Sequence, residues 1–247
     1  MKTELKHKIF EVGGCVRDEL LGIHSKDIDF TFVLSDTNMS VEEGWKEMLS
    51  ILKSEGFTIF LETPDCFTVR CMFPKGSKNE GLVADFVMSR KEVGVIPGTR
   101  KPILELGTLE DDLVRRDFTV NTLCKDEDGK IIDLFGGVKD LKKGILKTPL
   151  DPMVTLSDDP LRMLRGLRFC ITKGFTIDDE LWKCMLEPGL IRKLEDVVSQ
   201  ERMREEVTKM MKHDTIESLK LLNEIPGLME VIFSNGMWLM PTTKKVK

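Results

Sequence analysis

Asp27 and Asp29 stand two residues apart in Asp27-Ile28-Asp29-Phe30-Thr31-Phe32-Val33-Leu34, at the front of an otherwise apolar run. In a strand, side chains alternate between faces, so both carboxylates project from one side. Like charges at that spacing repel unless a cation lies between them, and hard carboxylate oxygens suit Mg2+ rather than a soft metal. Upstream, Gly13-Gly14 breaks regular structure and leaves backbone N–H groups able to meet an anion. A short helical stretch from Cys15 to Leu21 follows, ended by Gly22. Arg17 lies between the glycines and the acids. A phosphate cradle beside a paired-carboxylate metal site is equipment for phosphoryl or nucleotidyl transfer.

The elements that position these groups are legible in outline. Ser40 to Lys53 carries Val41, Trp45, Met48, Leu49 and Leu52 at helical spacing and stops at Gly56, which predicts an amphipathic helix covering a sheet. Phe57 to Leu61, Cys66 to Phe73 and Gly81 to Met88 are three expected strands. The third carries one acid, Asp85, in an apolar alternation. Such an acid needs a partner, which is either a metal held by the neighbouring acidic strand or a salt bridge, with Arg90 as the candidate base. Val93 to Leu106 holds two glycines and two prolines without a sustained period and reads as a mobile loop. Asp128-Gly129 marks a hairpin turn, and Val138 to Lys143 a short helix.

Near Lys147 to Pro152 the pattern changes from strands to helices, so the domain boundary is expected near residue 150, with domains at 1–150 and 151–247. Past it, Arg162, Arg165 and Arg168 recur every third residue and fan over one side of a helix while Leu161, Leu164 and Leu167 occupy another. Such an arginine face repels itself unless it meets anions. Pro160 suits a first helical position, which makes Asp159 a natural N-cap. Further helices are expected at Asp178 to Leu186, Glu201 to Met211 and Ile216 to Leu222, then a break at Glu224 to Leu228 and a basic tail.

Composition excludes several classes. At 247 residues, 41% hydrophobic and with ten prolines, the chain can bury a core. A net charge of −5 gives no bulk signal for nucleic acid, so RNA contact must come from local basic patches. Six cysteines without a C-x-x-C pair read as reduced thiols of a cytoplasmic protein. Neither a signal peptide nor a membrane span is expected.

Several stretches together carry a resemblance. Gly13-Gly14-Cys15-Val16-Arg17-Asp18-Glu19-Leu20-Leu21-Gly22 followed by Asp27-Ile28-Asp29 resembles the first motif of the class II tRNA nucleotidyltransferase and poly(A) polymerase family, within the polymerase β-like nucleotidyltransferase superfamily. Leu109-Glu110-Asp111-Asp112-Leu113-Val114-Arg115-Arg116-Asp117-Phe118-Thr119-Val120-Asn121 is similar to that family's LEEDL-x-RRDFTIN motif, and Asp159-Pro160-Leu161-Arg162-Met163-Leu164-Arg165-Gly166-Leu167-Arg168-Phe169 to its DP-x-R-x-LR-x-x-RF motif. The wording usual in the family's flexible loop is absent between Val93 and Leu106.

The resemblance implies an α+β fold, with a nucleotidyltransferase head of mixed sheet and helices followed by an all-helical neck. It implies transfer of CMP and AMP from CTP and ATP to the tRNA 3′ end, with Mg2+ on Asp27 and Asp29 and Asp85 as a third strand carboxylate. Gly14, Arg17 and Arg116 would meet the triphosphate, and Asp117 and Asn121 would fix the sugar or the geometry. Asp159 and Arg162 would present acceptors and a donor fork to the incoming base, and Arg165 and Arg168 would serve phosphate or base. Poly(A) polymerase and partial CC- or A-adding activities share these motifs, and a non-catalytic RNA-binding module is the reading of another class. The resemblance stops at the neck, so an RNA grip supplied by an oligomer or a partner is a further expectation.

Overall fold

The computed structural model describes residues 7–23, 25, 28–95, 102–237 and 241–243, so Asp27 lies outside the described residues. The chain folds as two compact units, one formed by residues 1–116 and 120–137 and the other by 117–119 and 138–247. Compactness thus divides the chain at Gly137, where the change of sequence character had suggested residue 150.

Unit 1 begins with β1 (His7–Val12), α1 (Gly14–Leu20), β2 (Ile28–Leu34), α2 (Val41–Ser54), β3 (Thr58–Thr63), β4 (Thr68–Met72) and β5 (Val83–Met88). It continues with β6 (Arg90–Val95), β7 (Pro102–Leu106), α3 (Leu109–Val114), β8 (Cys124–Lys125) and β9 (Ile131–Ile132). Seven strands form one sheet in the order β3-β4-β5-β2-β1-β8-β9, parallel only between β2 and β5. Alternation sorts the side chains of β2 between two cores. Phe32 and Leu34 pack with Val69, Phe86 and Met88 beneath Met48 and Leu52 of α2. Val33 faces the other way, toward Phe10, Val12 and Cys124 of neighbouring strands and Leu113 of α3. Both helices begin at reciprocal capping boxes, Ser40 with Glu43 and Thr108 with Asp111.

The segment read as a loop, Val93 to Leu106, is corrected in part. β6 and β7 pair antiparallel from Arg90↔Leu106 to Val95↔Pro102, with a register shift between Glu92 and Gly94; residues 96–101 lie outside the described residues. Glycine at the irregularity and proline at the first residue of a strand are both compatible with pairing, so the breakers hid the strands.

Unit 2 takes in α4 (Gly137–Lys143), whose first residue closes unit 1, then β10 (Ile145–Leu146), α5 (Pro152–Asp158), α6 (Leu161–Lys173), β11 (Thr176–Ile177) and α7 (Asp179–Met185). α8 (Pro188–Val197), α9 (Gln200–His213), α10 (Thr215–Asn223) and α11 (Leu228–Phe233) complete it. α5, α8 and α11 were not foreseen. Pro152 and Pro188 stand at helix starts, and Gly227, inside the expected break at Glu224 to Leu228, caps α11. Among the described residues, no helix is long and apolar enough to cross a membrane.

Gly107 is a position where backbone meets backbone. A Cβ there would lie 2.7 Å from the Arg90 carbonyl carbon, which no side-chain rotation relieves. Gly107→Ala is therefore predicted to destabilise the protein by roughly 1–3 kcal/mol. Gly189→Ala, with nothing within 4 Å of the new methyl, should be neutral or gain about 0.5 kcal/mol. Thermal melts followed by circular dichroism check both, and equal effects would refute the steric account.

Candidate active site

The glycine turn of unit 1 is built to admit two guanidinium groups. Gly13 adopts φ 77°, ψ −130°, a conformation closed to most side chains, and its amide donates to the Leu123 carbonyl at 3.0 Å. A Cβ on Gly13 would sit 2.9 Å from Arg116 Nη1, and one on Gly14 would sit 3.5 Å from Arg17 Nη2. The turn leaves space for these charges. Arg17 is buried to 6% exposure, donating Nε to Asp18 at 2.9 Å and Nη1 to the Asn121 side chain. Asn121 therefore orients an arginine of the turn.

Arg116 is fixed from the opposite side by a carboxylate that the sequence reading overlooked. Asp112, on α3, has a fully buried side chain that accepts from Arg116 Nη2 at 2.9 Å and from the Thr31 hydroxyl at 2.7 Å, and it also pairs with Arg115. Burial alone would raise its pKa. The adjacent charges of Arg116 and Arg115, with the Thr31 hydroxyl, outweigh burial and hold it at about 2. Arg116 Nη2 also approaches Thr31 Oγ1 at 3.3 Å. Thr31 is two residues along β2 from Asp29, hence on the same face of the sheet.

That face carries a row of residues in register across four strands. Asp29 of β2 stands beside Asp85 of β5, Asp85 beside Arg70 of β4, and Arg70 beside Leu61 of β3. Arg70 holds Asp85 through a bidentate pair, 2.8 Å to Oδ1 and 2.7 Å to Oδ2. The salt-bridge candidate named from the sequence, Arg90, is corrected: it donates to the Cys66 carbonyl at 2.8 Å and lies 5.3 Å from the Phe67 ring centroid. Among the described residues, no three His, Cys, Asp or Glu side chains form a metal-holding group. Asp29 supplies hard oxygen chemistry at the start of β2, two residues beyond the undescribed Asp27, and that chemistry fits a divalent cation.

In unit 2 the arginine face of α6 is met by the protein's own acids. Asp117 accepts the Phe118 amide on Oδ1 at 2.8 Å, and Arg165 Nε and Nη2 on Oδ2 at 2.9 and 2.7 Å. Glu206 of α9 is buried, pairs with Arg168, and lies 3.6 Å from Arg165 Nη1. Burial opposes the Arg165 charge, but Asp117 and Glu206 prevail and push its pKa up. Arg162 Nη1 donates to the Thr155 carbonyl at 3.0 Å. Asp159, in extended backbone at the end of α5, accepts the Leu161 amide on Oδ1 at 3.2 Å, while Oδ2 receives Arg202 Nη2 at 2.7 Å; the N-cap position of α6 falls to Pro160, not to Asp159 as expected. Glu206 and Arg202 were missed because they sit in an ordinary charged helix pattern; their spacing of one turn was the only signal.

Residues 9–147 match the poly A polymerase head domain. A tRNA nucleotidyltransferase of Schizosaccharomyces pombe, cca2, is 37% identical over 81% of this chain and 42% of its own length. A multifunctional CCA protein of Neisseria gonorrhoeae is 34% identical over 88% of the chain and 48% of its length. The chain thus spans less than half the length of these relatives. The crystal structure of the Bacillus stearothermophilus CCA-adding enzyme in complex with CTP superposes with a TM-score of 0.70 at 26% identity, covering 90% of this chain and 50% of that one.

Asp112 makes stability depend on pH with a defined sign. Its folded pKa of about 2 lies below the ordinary 3.8, so its contribution is complete at neutral pH and is lost as pH falls from about 4 toward 2. Asp112→Asn is predicted to cost about 2 to 3 kcal/mol at pH 7, with the gap from wild type narrowing by pH 3. Urea unfolding at the two pH values measures this, and a gap independent of pH would refute the electrostatic account.

Proposed function

Because the chain belongs to the poly A polymerase head-domain family, we propose that it transfers CMP and AMP from CTP and ATP to the 3′ end of tRNA without a nucleic-acid template, releasing pyrophosphate. The observation that carries this reading is the join between the two halves of the chemistry. Arg116, packed against the Gly13 turn, touches Thr31, one pleat along the strand from Asp29. A triphosphate lying along Gly14, Arg17 and Arg116 therefore brings its α-phosphate toward the acidic end of β2. The names of the relatives, tRNA nucleotidyltransferase and CCA-adding enzyme, support the same choice of reaction.

In this mechanism Asp27 and Asp29 would hold Mg2+, which would supply charge to lower the pKa of the attacking terminal hydroxyl and to offset the charge of the departing pyrophosphate. Arg17, kept in place by Asp18 and Asn121, and Arg116, kept in place by Asp112, bind phosphate oxygens at fixed positions, so little reorganisation is needed during transfer. Asp85, charge-neutralised by Arg70, shapes the face beside Asp29 and is the candidate third carboxylate. Asp159 and Arg162 read the hydrogen-bonding edge of the base. Arg165 and Arg168 act through Asp117 and Glu206, holding the segment after Arg116 and helix α9 against α6. Six free cysteines accord with a cytoplasmic enzyme.

The test supplies purified protein and Mg2+ with tRNA lacking its terminal nucleotides and labelled CTP or ATP, singly and together. The expected result is CMP incorporation from CTP alone and full CCA ends only with both. Asp29→Ala should lower the rate about a thousandfold or more, corresponding to roughly 4 kcal/mol of lost transition-state stabilisation. Long products from ATP alone would make the protein a poly(A) polymerase. Absence of incorporation under every condition would favour the non-catalytic RNA-binding module.

A further inference from the structure

We infer that Arg202, on α9, is a positioning residue for nucleotide selection that acts through Asp159. The inference rests on the base-reading role proposed above for Asp159 and Arg162. It starts from the way the Asp159 carboxylate is held. The residue sits in extended backbone between α5 and α6. Its side chain is held by two donors from different helices, the Leu161 amide of α6 on Oδ1 and the Arg202 guanidinium of α9 on Oδ2. Gripped at both oxygens, the carboxylate plane cannot rotate freely.

A carboxylate has about four lone-pair directions, so two contacts leave acceptors for a base amino group, now aimed in a fixed direction. Arg162 is anchored comparably, by the Thr155 carbonyl. The donor and the acceptor of the reading pair are therefore each oriented by a group outside the pair.

The base of Arg202 is itself firm. It lies in the first turn of α9, where Ser199 Oγ accepts the Arg202 amide at 3.4 Å. One turn further, Glu206 ties α9 to Arg165 and Arg168 of α6. Helix α9 thus serves as a backing plate that sets the height of Arg202 against the start of α6.

The Arg202–Asp159 pair is within reach of a ligand, with side chains 52% and 29% exposed. Exposed ion pairs contribute little to stability because water screens them. A purely structural role would then leave only a small trace in melting temperature, whereas an orienting role would appear in which nucleotide is bound.

The experiment measures equilibrium binding of CTP, ATP, UTP and GTP by calorimetry, with Mg2+, to the full chain and to Arg202→Ala and Arg202→Lys. The wild type is expected to favour CTP and ATP. In Arg202→Ala that preference should fall about five- to tenfold, the loss coming from weaker CTP and ATP binding, with the melting temperature within about two degrees of wild type. Arg202→Lys, which keeps the charge but loses the planar fork, should recover part of it. Unchanged preference in Arg202→Ala, or equal weakening for all four nucleotides, overturns the inference while the base-reading role stands. A lost preference accompanied by a markedly lowered melting temperature in both variants also overturns it, in favour of a structural pair. A wild type that binds all four alike overturns the base-reading role and this inference together.

Discussion

A single buried carboxylate constrains unit 1. The Asp112 side chain is removed from water, and a charge so placed persists only when the surrounding groups compensate it. Arg115, Arg116 and the Thr31 hydroxyl do so, and in doing so they bind α3 to β2 and fix the guanidinium that lies against the glycine turn. The capping box at Thr108 sets where α3 begins, and the β6–β7 hairpin sets how the chain arrives there, with Gly107 allowing the close pass beside Arg90. The arginine proposed to hold phosphate is thus the outer end of a chain of contacts reaching through the interior of unit 1. Arg17 has a parallel arrangement through Asn121 and Asp18.

Unit 2 meets a similar demand by a different arrangement. Three arginines on one face of α6 carry charge that α6 itself does not balance. Glu206 and Asp117 balance two of them, and the Thr155 carbonyl receives the third. Because Glu206 is buried and serves both Arg165 and Arg168, α9 cannot slide along α6 without exposing uncompensated charge. Arg168 adds a contact over the Phe169 ring, 4.5 Å from its centroid, which keeps its stem against the apolar side of the helix. The arginine face is consequently held in fixed positions by partners from this same unit. The network also accounts for the splitting of the Arg116-Asp117 motif: Arg116 folds with unit 1, and Asp117 with unit 2.

The sequence by itself determined the elements whose signals are local. The strand of Ile28 to Leu34 and the helix that runs from Val41 to Ser54 follow from side-chain alternation and helical spacing, so the linear order was enough to read them. The motifs also gave the candidate residues, because glycine, arginine and acid types at those spacings have few other uses. What only the tertiary structure decided is which charge meets which. Arg70 rather than Arg90 takes Asp85, the Thr31 hydroxyl reaches Asp112 across 81 residues, and Arg202 and Glu206 reach Asp159 and Arg168 from a helix some forty positions away. The strands β6 and β7 likewise gain their hydrogen bonds from each other, not from any period within themselves. Ion pairs and strand pairing are set by distance in space, and a cation has no sequence signature that distinguishes one acid from another until packing brings them together and removes the water between them.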